Sequence, residues 1–303
     1  MSTTSAYEID PRANYRHLAF AGLSILIVAA FHQTFATWLQ LSLHNERYSH
    51  LCMIPLISGY MIYEIRHKVF RAMEFAPNGA SGAVLCMGAV ALGISHLWSA
   101  ALDQISGLAI TVFGVLVVCA GFFRICYGRH PWRAARFPMF FLLFIVPIPT
   151  VVLDRVIVLL QEGSAAAVDG LLTLLRFAYV RDGLRFEFAG LSIEIAEQCS
   201  GIRSSIALLI AIVLLAHYLL RTGWRRWLLV ATTVPLVLFK NGLRIATLSF
   251  LAVRVDRRFI TGSLHHDGGF VFFGLMLLVV GVLCWILRKS EVIGASKLER
   301  KQN

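Results

Sequence analysis

The sequence predicts an all-α polytopic membrane protein, with about eight transmembrane helices, one amphipathic or re-entrant segment and a small outer hairpin. Three observations carry the prediction. Apolar residues fill 58% of the 303 positions and charged ones only 15%, against roughly 25% charged residues in soluble domains. Mean hydropathy is +0.72, and with 21 Phe and 6 Trp the chain has too much apolar surface to stay disordered. The charges fall between long apolar runs, so the formal net charge of +11 reads as topology and contact with anionic membrane lipids and needs no nucleic acid.

A span needs about 20 mostly apolar residues. That criterion selects runs near 18–40, 49–65, 80–99, 107–124, 137–153, 201–220, 227–252 and 268–287. The first is too long for the apolar region of a cleavable signal peptide and reads as a retained anchor. Segment 154–180 carries Asp154, Arg155, Glu162 and Asp169 among Val, Leu and Ala, which makes it amphipathic, lying on the interface or dipping in from one side. Residues 184–195 alternate apolar and polar around a glycine and read as a small hairpin. The whole chain, 1–303, reads as one integral membrane domain with cytoplasmic tails at 1–17 and 288–303, and no additional C-terminal periplasmic domain is expected.

Cytoplasmic loops collect Lys and Arg. With the N-terminus inside, 17 of the 28 basic residues fall inside and eight outside, leaving Arg203, Lys240 and Arg244 within spans. Both termini are therefore expected on the cytoplasmic side. The six cysteines, Cys52, Cys86, Cys119, Cys126, Cys199 and Cys284, contain no Cys-x-x-Cys pair, so no disulfide framework is expected.

Ionisable residues inside a bilayer cost about 2.5–3.5 kcal/mol each at mid-span on insertion scales and default to functional candidates. Three places qualify. Glu197-Gln-Cys-Ser-Gly-Ile-Arg-Ser-Ser205 lies at the outer mouth of the sixth span. There Cys199 would precede or open a helix whose unpaired N–H groups favour a thiolate, and Arg203 would add positive charge at i+4. Lys240-Asn-Gly-Leu-Arg244 puts two cations on one face of the seventh span, where Arg244 could stabilise an oxyanion or hold a carboxylate, or both could form a structural pair with Glu194 or Glu197. Leu264-His-His-Asp-Gly-Gly-Phe270 opens the last span, and His265 or His266 could act as a general base, as an imidazolium partner or as an interfacial polar cap. His-His-Asp with one cysteine is a poor zinc set by spacing, so no metal and no cofactor are expected. The topology count, made without these motifs, brings all three to one face. Gly79-Ala-Ser-Gly82, a short serine pattern at a span start, reads as close-packing small residues.

At these residues the sequence resembles the exosortase/archaeosortase family, membrane cysteine enzymes that cut and transfer proteins carrying a C-terminal sorting signal. Glu197-x-Cys-Ser-Gly-Ile-Arg-Ser204 is similar to the family's cysteine motif, Asn241-Gly-Leu-Arg-Ile245 to its Asn-x-x-Arg-Ile motif, and His265-x-x-x-Gly-Phe270 to its histidine motif. Tyr48-Ser-His50 and Phe144-Ile-Val-Pro-Ile-Pro149 are weaker flanking signals, and together the likeness covers about 48–273. The resemblance implies Cys199 as nucleophile through a thioester, Arg244 as the electrophilic arginine and His265, with His266 as alternative, as acid/base. Glu197, Ser200, Arg203, Lys240, Asn241 and His50 would bind substrate or support the site. Implied partners are exported proteins ending in a Pro-Glu-Pro-like motif, an apolar helix and a basic tail, with an acyl acceptor of unknown identity. The implied location is the bacterial inner membrane, with the site on the periplasmic side. The competing reading, from Lys240, Arg244 and the polar mouth, is a transporter or a lipid- or anion-binding protein without catalysis.

Overall fold

The computed structural model describes residues 11–71, 73–188, 190–195, 201–256, 258–261 and 269–302. It is 79% helical, as an all-α membrane protein requires. The chain divides into two compact units, one ending at Leu153 and the next beginning at Asp154.

The first unit holds α1 (Pro11–Ala30), α2 (His32–His44), α3 (Met53–Glu64), α4 (Arg66–Val69), α5 (Gly79–Leu97), α6 (Gln104–Tyr127), α7 (Arg129–Ala134), α8 (Arg136–Phe141) and the first turn of α9 (Thr150–Leu174). α5 and α6 form its backbone hairpin. Each starts on a side-chain cap: Asn78 Oδ1 accepts the Ser81 N–H at 2.9 Å, and the Asp103 carboxylate accepts those of Ile105 and Ser106 at 3.1 Å. Glycines let the two helices touch. A Cβ on Gly88 would lie 2.7 Å from Val118 Cγ2, and one on Gly121 would lie 2.5 Å from Leu85 Cδ2, the small-residue contact that drives helix association in lipid. By contrast Gly79 and Gly82 face open space, and buried Ser81 donates to the Ala76 carbonyl at 3.3 Å. The Gly-Ala-Ser-Gly stretch is thus a helix start, and the close packing expected there falls further along α5 and α6.

Two levels organise this unit. At one end of α6, Tyr127 bonds His17 Nδ1 at 2.9 Å and packs with Phe20, Phe70 and Phe123, and Ile65 joins the same cluster. At the other end, Thr150 Oγ1 donates to Asp103 at 2.5 Å and the Thr150 N–H to Ser106 at 3.2 Å. Pro147 and Pro149 break the helix before Thr150 because they lack N–H donors. The nearby Ile145 and Ile148 carbonyls accept instead from Trp38 Nε1 at 2.9 Å and Tyr48 Oη at 3.3 Å. The chain from Tyr48 to Phe70 therefore runs from one end of α6 to the other.

Among the described residues, five helices are long and apolar enough to cross a membrane, or seven if each of two bent pairs is one span. The expected eight runs sort into these. Runs 80–99, 107–124, 201–220, 227–252 and 268–287 are the five. Run 18–40 is broken at Phe31 with a bend of 77°, where apolar Ile25–Ala30 gives way to His32, Gln33 and Thr34. Run 137–153 breaks at its prolines with a bend of 88° into α9. Run 49–65 folds as α3, whose 12 residues reach only ~18 Å against a hydrocarbon thickness of ~30 Å.

The second unit starts on α9, the expected amphipathic segment, now seen as a continuous helix. Ile157, Leu160, Ser164, Ala165, Val168 and Leu172 make its buried face at helical spacing. Three antiparallel strands follow, β1 (Val180–Asp182), β2 (Arg185–Phe188) and β3 (Leu191–Glu194). β2 and β3 are the expected hairpin. β1 was not expected, being three exposed residues with no alternation. It is turned back by Gly183 at φ +58°, a left-handed conformation that glycine adopts without steric cost. Phe186, Phe188 and Ile195 pack on Ala165, Val168 and Leu172 of α9. Tyr179 donates to Asp169, which also pairs Arg181 at 3.1 Å.

The remaining helices are α10 (Ile202–Leu219), α11 (Gly223–Ala231), α12 (Thr233–Arg254), α13 (Arg258–Thr261) and α14 (Gly269–Gln302). α11 and α12 together make one candidate span of 32 residues. At the α10–α11 turn the Glu291 carboxylate of α14 accepts the Thr222 N–H at 2.7 Å and pairs Arg225 at 3.6 Å. α14 runs on without a break through residues 288–302 of the expected tail, 288–303. All five described cysteines are free.

Candidate functional site

The site grows from the contact of α9 with α12. Gly242 and Gly163 remove the side chains that would hold these helices apart: a Cβ on Gly242 would lie 2.5 Å from Ala167 Cβ, and one on Gly163 would lie 2.7 Å from Leu238 Cδ2. That approach buries Asn241 completely, with 0% exposure, and Lys240 nearly so, at 3%. Buried polar groups need partners. Asn241 Nδ2 donates to Ser164 Oγ of α9 at 2.9 Å, and Lys240 Nζ donates to Ser204 Oγ in the first turn of α10.

The start of α10 is shaped to meet them. Gly201, its N-cap, sits at φ +69°, and a Cβ there would lie 3.2 Å from Asn241 Oδ1. Both the backbone angle and the approach call for glycine. The Ser204 and Ser205 hydroxyls donate to the Gly201 carbonyl at 3.0 and 2.7 Å, which fastens the turn. Ser204 Oγ thus accepts from Lys240 and donates to Gly201.

Two of the three sequence motifs are thereby brought together, the cysteine motif through Gly201 and Ser204 and the Asn-x-x-Arg motif through Asn241 and Lys240. Arg244, partly exposed, lies one turn beyond Lys240 towards the end of α12, and Arg203 is exposed in the first turn of α10. Glu197, Cys199, Ser200, His265 and His266 lie outside the described residues. The chain places Cys199 two residues before Gly201 and three before the first residue of α10. The histidine motif lies on the stretch that joins α13 to α14. His50 belongs to the first unit, half-buried ahead of α3.

Sequence reasoning missed Ser164 and treated Ser204 only as part of a motif. Ser164 follows Gly163 in the amphipathic segment, and that small pair was the available signal. The segment's charges drew attention away from it. Among the described residues, no cluster of three or more His, Cys, Asp or Glu could hold a metal.

Fold and site together define a polytopic helical membrane protein in which Gly201 and Ser204, at the start of one helix, meet a buried Lys-Asn pair of another. The family described as transmembrane exosortase (Exosortase_EpsH) matches residues 38–282, and the chain belongs to that family. No curated protein and no solved structure matches it.

Proposed function

We propose that this exosortase-family protein is a cysteine transpeptidase or protease that removes the C-terminal sorting signal of exported proteins at the outer face of the bacterial inner membrane. The observation that carries the reading is the docking of Gly201 and Ser204, from the cysteine motif, on Asn241 and Lys240 of the arginine-bearing helix. In this reading the Cys199 thiolate attacks the scissile carbonyl carbon, and Arg244 with the N–H groups after Cys199 stabilises the oxyanion. His265, or His266 beside it, protonates the departing amine as the thioester forms. The acyl group then passes to an acceptor amine or to water, which regenerates the thiol. Glu197, Ser200 and Arg203 support the substrate or the cysteine segment, and Lys240 and Asn241 hold the two motifs together.

Substrates would carry a Pro-Glu-Pro-like segment, an apolar helix and a basic tail. Both termini are placed in the cytoplasm. The excess of basic residues on that side supports this.

The test is co-expression of wild type or Cys199→Ala with a reporter ending in Pro-Glu-Pro, an apolar helix and a basic tail, read by blotting for size. Shortening with wild type alone is expected. Shortening by Cys199→Ala at normal membrane levels rules the mechanism out. A full-length reporter beside folded wild type favours an anion-binding role for Lys240 and Arg244.

A further inference from the structure

The small sheet has two unlike edges. The Ile195 N–H donates to the Leu184 carbonyl at 3.1 Å, which sets the alternation of the β2–β3 ladder. Pairs 186/193 and 188/191 exchange hydrogen bonds, while Ser192 and Glu194 turn their N–H and C=O groups away from β2. These outward groups bond no described residue, and both residues are exposed.

On the opposite edge the outward residue is Arg181. Its side chain is tied back, Nε to the Gly183 carbonyl at 3.0 Å and Nη1 to Asp169 at 3.1 Å, and a tethered arginine on a three-residue strand discourages further pairing. Among the described residues β3 has no such guard. Its Ser192 hydroxyl accepts from Arg185 Nε at 2.8 Å on the exposed face and leaves the edge open.

β3 also leads directly to the cysteine. Gln161 Nε2 holds the Ile195 carbonyl at 2.8 Å, and Gly201 is seated on Asn241, so the segment carrying Cys199 is anchored at both ends. Four residues extend at most ~14 Å, which keeps Cys199 within that reach of Ile195, the residue after β3.

We infer that the open edge of β3 docks the substrate, an extended peptide segment adding as a fourth strand beside Ser192 and Glu194. The inference rests on the sorting-enzyme reading and deepens it by assigning where the substrate backbone binds. Strand addition takes its affinity from main-chain hydrogen bonds. It also suits prolines two residues apart. Side chains and backbone groups alternate along a strand, so both prolines turn their missing N–H away from β3 while the residue between them turns its N–H and C=O towards it.

The experiment uses the full chain in membranes with the Pro-Glu-Pro reporter carrying one cysteine beside that segment. In the Cys199→Ala background, with an added mild thiol oxidant, Ser192→Cys is expected to form a disulfide-linked adduct with the reporter, and Val180→Cys, on the opposite edge strand with Arg181 left in place, none. No adduct at Ser192→Cys, equal adducts at both positions, or a Ser192→Cys homodimer instead overturns the inference. In otherwise wild-type protein, Ser192→Pro removes the outward N–H and spares the β2 ladder, so it is expected to cleave about tenfold more slowly than Ser192→Ala. Equal rates also overturn the inference. If wild type leaves the reporter uncut, the sorting-enzyme reading fails, while the cross-link still decides whether β3 docks the peptide.

Discussion

Replacing Gly242 by alanine is the sharpest perturbation of the site, because it adds one methyl group and changes no polar atom. The new Cβ would lie 2.5 Å from Ala167 Cβ, with the Ala167 carbonyl carbon at 3.2 Å and the Val168 nitrogen at 3.3 Å. Carbon atoms rest at about 3.5–4.0 Å, and none of these atoms belongs to a side chain that can rotate away, so α9 and α12 must part by roughly 1 Å. Overpacking of this kind costs about 1–3 kcal/mol, offset by up to ~1 kcal/mol from the better helix propensity of alanine. The same movement would stretch the Asn241–Ser164 bond from 2.9 Å past the range of a hydrogen bond and shift Arg244 with its helix. A 1 Å displacement of a positioned group can cost about 10²-fold in rate. We expect Gly242→Ala to melt a few degrees lower in detergent and to shorten the reporter about 100-fold more slowly. Gly163→Ala, whose clash is with the flexible Leu238 side chain, should fall between it and wild type in cleavage, and Gly170→Ala, with no atom within 4 Å, should cleave like wild type and melt no lower, since only the propensity gain remains. Wild-type melting and cleavage by Gly242→Ala would refute the claim that this close approach places Asn241 and Arg244.

Two further outcomes follow from single contacts. Ser204→Ala leaves the Lys240 ammonium without its hydroxyl partner, so a double-mutant cycle with Lys240→Met should show a coupling of about 1–2 kcal/mol in unfolding free energy, and strict additivity would dissolve the pair. Hydrogen bonds from Ser106 and then Thr150 hold the exposed Asp103 carboxyl down to about 2. Because the folded state prefers the ionised form, its contribution is whole above the ordinary carboxylate range and fades as pH falls from about 4 towards about 2. The melting-temperature gap between wild type and Asp103→Asn should therefore be present at pH 6 and shrink across that window, and a gap that persists at pH 2 contradicts the assignment.

Much of the fold was legible because a bilayer punishes unsatisfied backbone and charge so heavily that apolar runs report themselves. Alternation around Gly190 located the β2–β3 hairpin, and Asp154, Glu162 and Asp169 marked α9 as amphipathic. Less legible was continuity. Hydropathy averages over a window, so it passed through Phe31 without registering the bend and credited 49–65 with a length that α3 lacks. Pro147 and Pro149 lack the N–H donors that a continuous helix needs, yet run 137–153 read as one span. Nor could they announce that Trp38 and Tyr48 would supply donors to the carbonyls around the break.

At the site, residue type and spacing by themselves determined the candidates: a cysteine beside a helix start, two cations four residues apart, histidines at a span's mouth. Those inferences need only helix periodicity and the cost of charge in lipid. Which groups meet was decided by tertiary structure alone. Nothing in the spacing of Ser164, Gly201, Ser204, Lys240 and Asn241 says that they converge, because convergence depends on how closely α9 and α12 approach and on the left-handed turn at Gly201. Both are set by atoms that glycine lacks, and such an absence acquires meaning only once a neighbouring helix is there to fill the space.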